Sequence, residues 1–241
     1  METENHRLAS AIRNRAIAHH KSRFLVAIAD IPGSGKTTVA KEMARLLNES
    51  LETKTALLSM DGFHLLRAAL NQLADPKLAS IRRGAPWTFD LSRLLDFVCR
   101  LRVWADGMPL ATSSSHSWSA EDVLRAPAFD HEAKDPVEDE ITITPDASII
   151  ILEGNYLLLD EPGWRDLKRL FDYCIFIDAD LEDARARVAK RHVQAGIEPT
   201  LEDGFRRVDS NDYLNALLIR SELLVPDMVL RSVPWSSVDT R

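Results

Sequence analysis

The sequence predicts a three-layer α/β/α fold built on an open, mostly parallel sheet. Three observations predict it. Phe24–Ala29 and Ile149–Leu152 are continuous apolar runs, as expected of central strands covered on both faces. Stretches with helical apolar spacing separate the strands, in the alternation that a parallel sheet requires. A glycine-bearing turn joins the first strand to the first long helix, and a second strand, Thr55–Met60, completes a βαβ unit.

The remaining elements follow in order. Residues 5–21 read as an amphipathic helix with Leu8, Ile12 and Ala16 on one side. Lys36–Asn48 is a helix that turns Val39, Met43, Leu46 and Leu47 inward. A short helix is expected over 64–74, and a turn over Pro86–Asp90. Leu91–Trp104 is a helix capped by Asp90, with Leu94, Leu95, Val98 and Leu101 as its stripe. Residues 106–147 are poorer in apolar side chains. They contain the polar stretch Thr112–Ser119 and two short strands, Pro127–Phe129 and Glu140–Thr144, and read as an insertion at the strand ends. Alternation then resumes: a short helix at Pro162–Leu170, a strand at Tyr173–Ile177, helices at Leu181–Gln194, Leu201–Val208 and Asp212–Leu224, and a last strand at Asp227–Leu230.

Composition narrows the class. In 241 residues, 45% hydrophobic and 28% charged side chains suffice to bury a full core. The net charge of −7, without a basic tract, argues against a nucleic-acid partner. The apolar runs are too short to span a membrane. Met1–Arg7 lacks the basic-then-apolar pattern of a signal peptide, so the default expectation is cytoplasmic. Cys99 and Cys174 lie in apolar segments, where buried reduced thiols are expected.

Asp30-Ile-Pro-Gly33-Ser34-Gly35-Lys36-Thr37-Thr38 lies between the first strand and the helix that starts at Lys36. Glycines let successive amides turn toward a phosphate, and a helix N-terminus adds unpaired N–H donors. Residues 33–38 are therefore the expected nucleotide cradle. Lys36 reaches the β- and γ-phosphates of ATP, and the Thr37 hydroxyl ligates Mg²⁺. The first glycine position of the usual loop carries Asp30 instead. An unpaired carboxylate there would repel polyphosphate, so Asp30 is expected to point away, or to give its charge to a metal or a backbone cap. Asp61 and Glu153 follow two apolar strands and share the edge of the sheet that carries the loop. One of these carboxylates can deprotonate an attacking hydroxyl while the other holds the magnesium ion. Read without that context, each is an ordinary strand terminus or a helix cap.

Three further segments carry a family resemblance: Leu58–His64, Arg82–Asp90 and Ile151–Tyr156. With the loop, they resemble the phosphoribulokinase, uridine kinase and bacterial pantothenate kinase family of P-loop small-molecule kinases, from about Arg23 to Val229. Ala126–His131, Arg191-His192 with Gly196, and Arg207 through Asn211, Asp212 and Asn215 resemble its loosely named uridine kinase-like bacterial and fungal subgroup. The resemblance implies a P-loop NTPase fold and a single kinase domain over 23–241 behind an N-terminal helix at 1–22. It implies an acceptor-binding insertion at about 84–147 and a lid helix region at about 181–196. It implies Asp61 as base, Glu153 as the magnesium carboxylate, and Gly84–Asp90 as a shaper of the acceptor side. Homodimers occur among such relatives, which leaves a homodimer open here.

Arg187 and Arg191 share one face of the 181–194 helix. The resemblance gives them the lid role of closing on the ATP phosphates; salt bridges to Glu182 or Asp183 are the alternative. His64 either orients Asp61 and meets the acceptor or makes a local hydrogen bond. Arg83 is an acceptor anchor or a surface ion pair. Trp87 and Phe89 wall the acceptor or pin the turn, and Asp90, Asp130 and His131 complete the acceptor-side candidates. The expected partner is a small molecule bearing a hydroxyl, such as a nucleoside, a pantothenate-like acid or a sugar. An ATPase switch acting on a protein partner is the rival class. A guanine-reading Asn-Lys-x-Asp segment does not occur.

Overall fold

The computed structural model describes residues 2–49, 54–111 and 118–232. In chain order the elements are α1 (Glu2–Ala18), β1 (Phe24–Asp30), α2 (Lys36–Asn48), β2 (Thr55–Ser59), α3 (Arg67–Leu70), α4 (Pro76–Ile81), α5 (Leu91–Gly107), β3 (Leu124–Asp130), β4 (Asp135–Ile143), β5 (Ile149–Glu153), β6 (Tyr173–Asp178), α6 (Leu181–Gln194), α7 (Leu201–Ser210), α8 (Asp212–Ser221) and β7 (Met228–Arg231). Five strands form one parallel sheet in the order β2-β5-β1-β6-β7.

β1 shows why this is a three-layer fold. Its side chains alternate between the faces, and all seven residues are buried. Phe24, Val26 and Ile28 pack with Leu8 and Ile12 of α1 and with Met43 and Leu47 of α2. Leu25, Ala27 and Ala29 face the opposite layer, which includes Leu94 and Val98 of α5 and Ala216 and Ile219 of α8. The N-terminal helix is thus built into the core, and Arg13 ties it to α2 through the Leu46 carbonyl at 3.0 Å.

The segment between α5 and β5 carries a two-stranded antiparallel hairpin, β3-β4, which packs over the turn that follows β2. Its two ends are pinned by Arg23, a fully buried side chain. Arg23 donates to the carbonyls of Met108, Pro109 (3.1 Å) and Pro145 (2.6 Å), and its guanidinium lies over the Trp104 ring. The polar stretch expected over Thr112–Ser119 lies, up to residue 117, outside the described residues.

Three expectations need correction. The helix expected over 64–74 is instead a four-residue α3 followed by α4, which starts at an Asp75 cap and Pro76. His64 lies outside both helices and pairs with Phe89 in an isolated bridge. The helix expected over 162–170 is a pair of 3₁₀ turns, because Pro162 and Gly163 interrupt regular helix. Cys99 is exposed: its neighbours Phe97, Val98 and Leu101 take the core-facing stripe of α5 and leave position 99 outside it. Cys174 is buried as expected.

Candidate active site

The C-terminal edge of the sheet gathers three carboxylates, Asp30, Glu153 and Asp61. β1 ends on Asp30 and β5 on Glu153, which lies in register with Ile28 on one side and Ser59 on the other. A 3₁₀ turn, Met60–Phe63, follows β2 and presents Asp61 beyond Ser59. This turn has no room to drift. A β-carbon on Gly62 would stand 2.4 Å from the Pro127 carbonyl oxygen of the hairpin.

The loop from Ile31 to Gly35 turns through left-handed backbone at Gly33 and Gly35, with φ of 89° and 96°. Gly33 packs directly against the Ala184 carbonyl of α6, whereas Gly35 faces open space. α2 then begins without a side-chain cap and without an acidic residue in its first turn. By contrast, α4, α5, α6 and α7 are capped by Asp75, Asp90, Asp180 and Thr200. The first-turn amides of α2 thus meet an open space with no side chain to satisfy them, which fits a bound anion such as a polyphosphate.

Lys36, at the first position of α2, is buried. It donates through Nζ to Glu153 Oε2, and Asp30 Oδ1 lies 3.9 Å from the same ammonium. Burial opposes the Lys36 charge, but the two carboxylates outweigh it and raise the pKa above its ordinary value. Asp30 also accepts a hydrogen bond from the Ser34 hydroxyl, while its Oδ1 has no hydrogen-bond partner. Burial pushes its carboxyl up to about 7, against the pull of Lys36 and Ser34. Asp30 therefore neither points away from the loop nor caps backbone; it faces the loop's own lysine.

These groups open on a cavity of about 640 Å³. It is lined by the phosphate loop with Thr37 and Thr38 and by Arg187, Lys190 and Arg191 of α6. Asp61, His64, Phe89, Asn155, Asp212 and Asn215 line it as well. Arg187 reaches Ser232 Oγ at 3.0 Å and the carbonyls of Gly33 and Ser34 at 3.4 and 3.5 Å, so α6 and the loop are joined through it. His64 stacks on Phe89, ring centroids 3.9 Å apart, with its Nε2 3.9 Å from Asp61 Oδ1. Burial lowers the His64 pKa to about 4, against the pull of Asp61, so the imidazole is neutral near pH 7.

No protein-family model matches the chain. Individual relatives do. The chain is 35% identical over 230 residues to a Schizosaccharomyces pombe protein provisionally named a uridine kinase, C227.14, covering 94% of this chain and 92% of that one. It is 41% identical over 171 residues, covering 70% of this chain and 92% of the other, to the ATP-dependent kinase-like protein notR′ of Aspergillus versicolor. The chain belongs to the P-loop small-molecule kinases. The crystal structure of YFH7 from Saccharomyces cerevisiae shares the fold of this kinase with a TM-score of 0.80 and 25% identity, over 95% of this chain and 99% of that one.

The structure distributes the remaining sequence-expected residues unevenly. Of the seven acceptor-side candidates, His64 and Phe89 line the cavity and the other five do not. Arg83 is held on the hairpin by Asp135 (2.9 Å) and by the carbonyls of Lys134 and Leu65 (2.6 and 3.1 Å). Trp87 is 47% exposed, Asp90 caps α5 through the Arg93 amide at 3.0 Å, and Asp130 accepts from the amides of Glu132 and Ala133 in the hairpin turn. His131 is exposed on that turn. Arg185 pairs with Asp209 through two nitrogens, at 2.5 and 2.7 Å. Sequence reasoning gave no role to Asn155, Lys190, Asp212 or Asn215, all of which the kinase brings to the cavity. A signal existed for two pairs. Arg187 and Lys190, like Asp212 and Asn215, are three apart on a helix and share a face.

Proposed function

We propose that the kinase transfers the γ-phosphoryl of ATP to a hydroxyl of a small metabolite, with Asp61 as the base. The observation that carries this reading is one cavity lined by the phosphate loop, the α6 cations and Asp61. The first-turn amides of α2 and the amides of the 33–38 loop bind the triphosphate, and Lys36 exchanges part of its contact with Glu153 for the phosphates. Thr37 offers a hydroxyl and Glu153 a carboxylate near the phosphate loop. That donor set suits magnesium, which takes one or two protein ligands and completes its shell with water and phosphate oxygens. Thr37 and Glu153 are the residues that would hold it. When bound, Mg²⁺ neutralises charge on the transferring phosphoryl group.

Asp61 lies at the mouth of the acceptor side, with its side chain 38% exposed. It accepts the proton of the attacking hydroxyl. Neutral His64, fixed on Phe89, sits beside it as a hydrogen-bonding partner for the acceptor rather than as a competing cation. Arg187 and Arg191 stabilise spreading charge on the phosphates and exclude water from the transfer. The test is ADP release from ATP–Mg²⁺ across a metabolite panel. The reading requires release that depends on an added alcohol and collapses in Asp61→Asn. Rapid ADP release without any acceptor, unchanged in that variant, would instead identify an ATPase acting on a protein partner.

A further inference from the structure

Asn211 closes α7 and opens α8. An asparagine at the start of a helix ordinarily accepts from the helix's own first-turn amides, but the Asn211 side chain makes no such bond. Its buried carboxamide turns to a distant segment instead. Oδ1 accepts from Arg82 Nε at 3.2 Å and from Asn215 Nδ2 at 3.3 Å, while Nδ2 donates to the Arg83 carbonyl at 2.8 Å. Arg82 also donates to Asn215 Oδ1 at 3.0 Å, and Asn215 is buried too. A guanidinium only donates and a carbonyl only accepts, so the group between them must do both. A carboxylate or an apolar side chain at position 211 would fail at one end or at both.

The segment held in this way leads to the base. Next to Arg83, the Gly84 carbonyl accepts from the Tyr156 hydroxyl at 2.5 Å, and the Gly84 amide donates to Thr88 Oγ1 at 2.9 Å. The Thr88 carbonyl accepts from the Leu65 amide at 2.9 Å. Phe89 follows, bridged to His64 through the backbone and stacked on its ring, and His64 Nε2 lies 3.9 Å from Asp61 Oδ1. Gly84, Phe89, His64 and Asp61 line the cavity, and Asn211 is not among its lining residues. Asn211 therefore reaches the site through residues 83–89. Hydrogen bonds suit that task, because they fix direction as well as distance where apolar contact would let the turn slide.

We infer that Asn211 is a positioning residue for phosphotransfer. By holding the Arg82 guanidinium and the Arg83 carbonyl it keeps the 83–89 turn, and with it the His64–Phe89 stack, in place beside Asp61. This rests on the phosphotransfer reading above.

Asn211→Asp separates holding from folding. It keeps the side chain's shape and the oxygen that faces Arg82, and it removes the donor to the Arg83 carbonyl. Pairing with Arg82 offsets that loss, so the urea midpoint should stay near that of the original protein. With uridine, pantothenate and fructose as acceptor probes, kcat for the best of the three should fall by about tenfold or more. The Kd for ATP–Mg²⁺ and the acceptor-free release of ADP should stay within about twofold. His64 supplies a readout that needs no acceptor. Burial holds its pKa at about 4, and loosening the stack should raise it by about one pH unit or more, read by NMR with His64→Gln to assign the resonance. Asn211→Ser serves if the first variant does not fold. An unchanged kcat with an unmoved His64 titration overturns the inference, and so do equal losses of turnover and ATP affinity, which mark a residue that supports the whole fold. Should none of the three probes react, an unmoved His64 titration alone overturns it. ADP release that ignores every alcohol and survives Asp61→Asn overturns the phosphotransfer reading instead, and the His64 titration still decides whether Asn211 holds the stack.

Discussion

The Lys36 ammonium donates to the Glu153 carboxylate in a buried pair whose side chains are 8% and 4% exposed. This contact joins the phosphate loop to the end of β5, and Asp30 flanks it at 3.9 Å. Lys36→Ala should therefore cost more than activity. It removes the fixed positive charge beside the transferring phosphoryl, which should lower kcat by about 10²–10³. It also strands two buried carboxylates, which should lower stability by about 3 kcal/mol. Adding Glu153→Gln to Lys36→Met should recover part of the stability and none of the rate. Urea unfolding and ADP release check both parts. Unchanged stability in Lys36→Ala would show that the pair is not buried in solution.

Asp30 occupies the first glycine position of the loop, with its carboxyl pushed up to about 7 by burial. It is neutral below that pH and adds a negative charge beside the phosphates above it. Asp30→Asn should therefore bind ATP–Mg²⁺ almost as the original protein does at pH 6, and about three- to tenfold more tightly at pH 8.5. Taking the ratio of the two Kd values at each pH cancels the titration of ATP itself. A ratio that stays flat from pH 6 to 8.5 would show that the carboxyl does not ionise in this range.

The phosphate side was legible in the sequence because its determinants are local. Strand β1, the glycine turn and α2 follow one another without interruption, and the 181–194 helix was bounded correctly because an Asp180 cap and an apolar stripe mark it. Glu153 was legible as the end of an apolar run. The acceptor side was not legible to the same degree. It joins Asp61, Phe89, Asn155 and Asp212 from four separate stretches, brought together by the pairing of β2 with β5 and by the tie between Asn211 and the Arg83 carbonyl. The 84–90 and 126–131 segments were identified as acceptor-side from resemblance. Arg83, Asp90 and Asp130 spend their polar groups on the hairpin and on a helix cap, an allocation that no local spacing reveals.

His64 gives a pH-dependent stability. Its pKa of about 4 lies below the ordinary 6.5, so the unfolded chain takes up a proton before the native state does. Stability should fall as pH drops from 6.5 toward 4, by an amount on the order of 3 kcal/mol from this residue. His64→Gln should lose less stability over the same interval. Denaturant unfolding of both proteins at pH 7 and pH 4.5 measures the difference. Parallel losses would assign the acid sensitivity to other groups.

Gly62→Ala tests how the hairpin holds the base. The added methyl group meets the Pro127 carbonyl at 2.4 Å unless the turn or the hairpin moves. Moving the turn displaces Asp61, its neighbour in the chain. The variant should lose about tenfold or more in kcat, since a small misplacement of a reacting group is costly. Affinity for ATP–Mg²⁺ should stay within about twofold, because the loop and α2 are untouched. Equal losses in both quantities would mean that the hairpin supports the whole cavity and not the acceptor side alone.

The sharpest test separates the two strand-end carboxylates. Asp61 lines the same cavity as the phosphate loop with its side chain 38% exposed, whereas Glu153 is buried and bonded to the loop's own lysine. Asp61→Asn keeps size and hydrogen-bonding capacity but removes the proton acceptor. It should cut kcat by about 10²–10⁴ at every magnesium concentration, with ATP affinity nearly unchanged. Glu153→Gln weakens both the metal's oxygen donor and the anchor of Lys36. Its activity should therefore recover in part as Mg²⁺ is raised, and incompletely, because magnesium cannot restore the lysine contact. Kinetics of both variants over a wide Mg²⁺ range, at saturating ATP and acceptor, measure this. Rescue of the Asp61 variant by magnesium, with none for the Glu153 variant, would exchange the two roles.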